Sequence, residues 1–152
     1  MKLAASMGLE IPILGSDTLD SNMVLEAASG SDVKLYVSTF YQEGGSPEFD
    51  EGIKAWLNED ATAMTNNGGN DTIAAVTAMG YDAYYVALEA LKAAGSTDPA
   101  AVKAALPGVT YTGVTGDIAF DDIGDAIRDT AYIKVADTAN NAWALETMQK
   151  AG

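Results

Sequence analysis

The chain has 152 residues, 48% of them hydrophobic, and a formal net charge of −14; that is enough for one domain, or two small ones, with a real core. It has no cysteine and no histidine, which excludes disulfides, thiol nucleophiles, thiolate metal sites and histidine acid–base chemistry. So acidic a chain, with no cluster of Lys or Arg, repels phosphate backbones and anionic membranes, and nucleic acid is excluded as a partner.

Lys2 to Met7 favours helix, and Gly8 stands where a C-terminal glycine belongs. One or two turns have no stability of their own, so this reads as the tail of a longer element, and the chain as a fragment. Gly8 and Glu10 interrupt any signal-peptide core, and no run is long enough to span a bilayer. Ile11 to Leu14 reads as a buried strand closed by the polar loop Gly15-Ser16-Asp17. A short helix follows, capped by Asp20 or Ser21, with Met23, Val24 and Ala27 as its apolar face and Gly30 at its end.

In "VKLYVSTFY", Val33, Leu35, Val37 and Thr39 alternate with Lys34, Tyr36 and Ser38, a strand with two different faces. "SPEFDEGIKAWLNED" is a helix with Ser46 at the N-cap, Pro47 at the first position and acidic residues near the positive dipole end. Phe49, Ile53, Trp56 and Leu57 form its apolar stripe. After the loop 66–71 comes the longest helix, ended by Gly95, with Tyr81, Tyr84, Tyr85, Leu88 and Leu91 on one face. A further helix starts at Asp98-Pro99 and stops at Pro107-Gly108. The last third reads as strands: 117–120, 131–135 and 143–145, with a turn at 121–125 and a hairpin loop at 137–142. Alternating strands and helices with an antiparallel tail give an α/β fold around a mixed sheet.

Few motifs carry chemistry. An acidic residue just past a strand, as at Asp17, can hold an ammonium group or a cation, or can simply cap the next turn. "DDIGD" (121–125) lacks the spacing of a calcium loop and reads as a solvated turn. "TGVTG" (112–116) has no lysine after it and reads as a turn rather than a phosphate loop. The tyrosines at 81, 84 and 85 suit a core face, or alternatively a ligand cage. No nucleophile motif is present, and scattered carboxylates in an acidic chain do not make an enzyme. A carboxylate enzyme on an α/β scaffold would need two converging carboxylates with opposed pKa shifts.

Read together, "GLEIPILGSD", "MGYDAYYVALEALKAAGSTDPAAVKAALPG" and "YTGVTGDIAFDDIGDAIR" resemble the C-terminal portion of the extracytoplasmic substrate-binding proteins of branched-chain amino-acid ABC transporters, the Leu/Ile/Val type. The resemblance implies the type I periplasmic-binding-protein fold, two Rossmann-like α/β lobes closing on a ligand, of which this chain is an incomplete C-terminal part. It implies that residues 1–41 end the second lobe, 42–132 close the first, and 133–152 return to the second, with crossings at Ser38 to Gln42 and around Tyr132. Asp17 matches the family's acidic residue that pairs with the ligand's α-ammonium, and Ser16 and Thr18 flank it. Tyr81 and Thr77 are implied to face the cleft from the other lobe. The implied partners are a Leu-, Ile- or Val-like amino acid and the ABC permease subunits. The implied location is extracytoplasmic, in the periplasm or lipid-anchored on the cell surface, with no cofactor, no metal and no catalysis. A sensing ectodomain of the same fold, coupled to signalling, is the alternative. A cut sheet exposes strand edges, so self-association of the chain is expected as well.

Overall fold

The structure is a computed structural model that describes residues 2–150. Its elements fall into two compact units, one formed by residues up to Val76 together with those from Thr130 onward, the other by Thr77–Asp129.

The first unit is built on a four-stranded sheet. Its strands are β1 (Ile13–Gly15), β2 (Leu35–Thr39), β6 (Thr130–Asp137) and β7 (Ala142–Lys150), in the order β1-β2-β6-β7. β1 and β2 are parallel, and the other pairs are antiparallel. Leu35, Val37 and Thr39 are fully buried and their neighbours half-buried, so the alternation read from "VKLYVSTFY" is the alternation of the sheet's two faces. β7 runs well beyond 143–145 because β6 pairs with it along its whole length, through one irregularity between Ile133 and Lys134. The strand expected at Ile11 to Leu14 is not buried: Ile11 is 66% and Leu14 70% exposed. β1 lies at the sheet edge, with β2 as its one neighbour.

Helices α1 (Lys2–Ser6), α2 (Asn22–Ala28), α3 (Pro47–Glu59) and α4 (Ala61–Asn66) complete this unit. Ser21, not Asp20, caps α2, its side chain accepting from the Val24 N–H. The buried positions of α2 are Leu25 and Ala28, and Met23 is 75% exposed. On α3, Phe49 and Leu57 are buried as the stripe predicts, but Trp56 is exposed. Ser46 makes no side-chain cap bond. Asp60 ends α3 and caps the short α4, accepting from the Thr62 and Ala63 amides at 2.8 and 3.0 Å.

The second unit holds most of α5 (Ala75–Ala94), then α6 (Pro99–Ala105) and the small sheet β3 (Tyr111–Gly113), β4 (Gly116–Phe120) and β5 (Ala126–Ile127). Gly95 leaves α5 with φ +57, a left-handed conformation that side chains disfavour. Asp98 caps α6 through the Ala101 amide at 3.0 Å. Val86, Ala90, Val109 and Ile118 form the core, with Val102, Leu106, Tyr111 and Phe120 packed on it. The buried face of α5 therefore runs through Ala78, Asp82, Val86 and Ala90, and the tyrosine face is not core: Tyr81 is 39% and Tyr84 62% exposed. Small residues at 78 and 90 let α5 approach closely, whereas phenols place their hydroxyls in water.

Candidate functional site

Strand β1 ends at Gly15, and the chain turns at once through one 3-10 turn, Asp17–Leu19. A Cβ at Gly15 would run into the Leu19 side chain, so the turn folds back tightly over the strand end. Two backbone bonds close it, from the Leu19 N–H to the Ser16 carbonyl and from the Asp20 N–H to the Asp17 carbonyl, both 3.0 Å. The Ser16 and Thr18 hydroxyls lie 2.8 Å apart and share a hydrogen bond. Both residues are exposed and Asp17 is half-buried. A carboxylate with a hydroxyl residue on either side of it in sequence, past the carboxyl end of a strand, suits a small ligand bearing an ammonium group.

Thr77 and Tyr81 sit one turn apart on the same face of α5, in the second unit. Thr77 is half-buried, and the Tyr81 hydroxyl donates to that of Tyr85 at 3.5 Å. The phenols of Tyr81, Tyr84, Tyr85 and Tyr111 form a continuous aromatic group, with Tyr85 and Tyr111 stacked at 5.9 Å. Burial, then the nearby Asp82 carboxylate, raises the Tyr111 pKa above the ordinary tyrosine value. In chain order the expected ligand contacts thus form two groups, Ser16-Asp17-Thr18 on one turn and Thr77-Tyr81 on one helix face.

Sequence reasoning missed the best-anchored group beside the first of these. Asp20 follows the turn and is 2% exposed. Its Oδ2 accepts from Thr39 Oγ1 at 3.0 Å, Lys134 Nζ at 2.9 Å and the Ala75 N–H at 3.3 Å. Lys134 is equally buried, so the two charges satisfy each other away from water. The Ala75 amide opens α5, where the helix dipole also favours a carboxylate. A lone lysine inside the apolar run "AYIKVA", at an inward position of a strand, is a signal that could have pointed to a buried acidic partner.

Residues 1–140 match the periplasmic binding protein family. The chain belongs to that family. Proteins of this family are solute-binding proteins that act outside the cytoplasm, a role that is generally not enzymatic. Among the described residues no helix is long and apolar enough to cross a membrane. No curated protein matches the chain. A leucine-binding protein from Thermotoga maritima is 24% identical, with a TM-score of 0.72 over 98% of this chain and 40% of that one. A solute-binding protein of an ABC transporter from R. palustris, solved in complex with benzoate, is 16% identical with a TM-score of 0.69, over 99% of this chain and 39% of that one. The leucine-, isoleucine-, valine-, threonine- and alanine-binding protein from Brucella ovis, in a closed conformation, is 17% identical with a TM-score of 0.64, over 98% and 39%. At these identities the likeness establishes the fold, that of the type I periplasmic binding proteins. The chain spans about two fifths of the length of each of the three.

Proposed function

We propose that the chain is part of a solute-binding protein that captures a branched-chain or related amino acid between two lobes and delivers it to an ABC permease. The observation that carries this reading is the family match over residues 1–140, beside folds whose proteins include two named for binding leucine. In this proposal residues 1–41 and 133–152 serve one lobe and 42–132 the other. Asp17 pairs with the ligand's ammonium, Ser16 and Thr18 complete that end of the site, and Thr77 and Tyr81 contribute from α5. Ligand drives closure only insofar as it favours the closed state.

The chemistry of Asp17 argues for an amino acid over a simple carboxylate. A benzoate-like ligand carries one negative charge and no cation, and a carboxylate facing it would repel it. A zwitterion gives that carboxylate a charge-assisted partner. The test is a thermal-shift panel on the full-length protein. Leucine, isoleucine and valine are expected to raise the unfolding temperature and benzoate to leave it unchanged. Stabilisation by benzoate with none by any amino acid would overturn the reading.

A further inference from the structure

The Asp17–Leu19 turn lies beside β2 and folds Leu19 back on Gly15, yet none of its three residues is buried. The residue after it is. The Asp20 backbone N–H holds the Asp17 carbonyl at 3.0 Å, and the Asp20 carboxylate is fixed to three other segments of the same unit. These are the end of β2 through Thr39, the middle of β6 through Lys134, and the first amide of α5 through Ala75. Lys134 stands opposite Val37 in the β2–β6 register, so its ammonium projects from the sheet face that Val37 and Thr39 bury. In sequence, 114 residues separate the two charges.

From this chain of contacts we propose that Asp20, with Lys134 as its counter-ion, is the positioning residue of the turn that presents Asp17. The side chain is the anchor and the backbone N–H is the link. The role of Asp17 rests on the function proposed above; the anchoring does not. Severing the side-chain contacts frees the turn to open while the strand pairing of β2 with β6 persists, because that pairing runs through backbone bonds and buried Leu35 and Val37.

The test is amide hydrogen exchange by NMR on the ligand-free full-length protein, with the amides of Leu19 and residue 20 as reporters of the turn, those of β2 as reporters of the sheet, and that of Ile118, in the second unit, as a control. Asp20→Ala removes the anchor. Asp20→Ala combined with Lys134→Met also removes the orphaned charge, which keeps a folded variant in hand. In the double variant the turn amides are expected to exchange about tenfold faster relative to the β2 amides, as in a local opening. Lys134→Arg, which keeps the ion pair, is expected to leave the turn as in the wild type. Turn and β2 amides accelerating by the same factor would reduce Asp20 to general stabilisation and overturn the proposal, as would unchanged turn amides. If the turn responds as expected but the full-length protein binds no amino acid, the functional reading fails and the anchoring stands.

Discussion

The Tyr41 hydroxyl donates to Asp50 Oδ1 at 2.6 Å in a site where Tyr41 is 2% and Asp50 7% exposed. The other carboxylate oxygen accepts from the Gly44 N–H, also at 2.6 Å, and the Tyr41 ring meets Phe49 edge-on. The pair thus joins the segment after β2 to the first turn of α3, where the helix dipole favours an acid.

This arrangement makes stability fall at high pH. Burial comes first, then the hydrogen bond to Asp50 and its charge, and together they push the Tyr41 pKa well above the ordinary value of 10.0. The unfolded chain then loses the phenolic proton at lower pH than the folded one. Stability from the neutral phenol is full below pH 10.0 and is lost as pH rises toward the folded value. Lys54, raised chiefly by its hydrogen bond to Glu43, acts with the same sign. Tyr41→Phe is expected to cost about 1.5–3 kcal/mol at neutral pH, the scale of a hydrogen bond to a charged group, and to flatten the alkaline slope. Urea unfolding at several pH values, with phenolate absorbance followed in parallel, checks both.

Asp82 plays a comparable part in the second unit. It is 1% exposed and accepts from the Val114 and Thr115 amides at 2.9 and 2.8 Å and from Thr115 Oγ1 at 2.6 Å. Asp82→Ala leaves these donors without a partner and is expected to cost about 3 kcal/mol. A Cβ at Gly113 would fall on the same carboxylate, so Gly113→Ala is expected to cost about 1–3 kcal/mol by overpacking. Chemical denaturation followed by circular dichroism reads both, and a wild-type curve for either variant would remove this account of the β3–β4 turn.

The β1 edge sets an expectation for association. Ile11 and Leu14 are 66% and 70% exposed, just before and within a strand that, among the described residues, is paired on one side. Apolar side chains beside an open strand edge favour pairing with another chain. The isolated chain is therefore expected to run larger than its 15.7 kDa on size-exclusion with light scattering. A Leu14→Lys variant shifted toward the monomer would tie the effect to this edge, and a monomeric wild type would refute it.

What the sequence disclosed was mostly local. The β2 alternation, the cap at Asp98, that at Ser21 as one of two alternatives, and the buried pair Phe49 and Leu57 follow from spacings of a few residues. Of the two readings of the α5 tyrosines the core one fails, because tyrosines at helical spacing resemble a core stripe and periodicity alone does not separate a half-wet phenol from a buried one. The exposure of Leu14 depended on where β1 stands in the sheet order, which its own residues do not encode. Asp20 with Lys134, and Asp82 with Thr115, are contacts across 114 and 33 residues of chain. The resemblance named Ser16, Asp17 and Thr18 as candidates, whereas the contacts that gather Thr39, Ala75 and Lys134 on Asp20 exist only in three dimensions.

The central claim is that Asp17 grips the positive end of an amino acid, and calorimetric titration of the full-length protein tests it most directly. Wild type and Asp17→Ala are each titrated with leucine and with 4-methylpentanoate, its analogue without the amino group. The account predicts that the substitution weakens leucine by about 1.5–3 kcal/mol and does not weaken the analogue. Equal leucine affinity in the two proteins would contradict it.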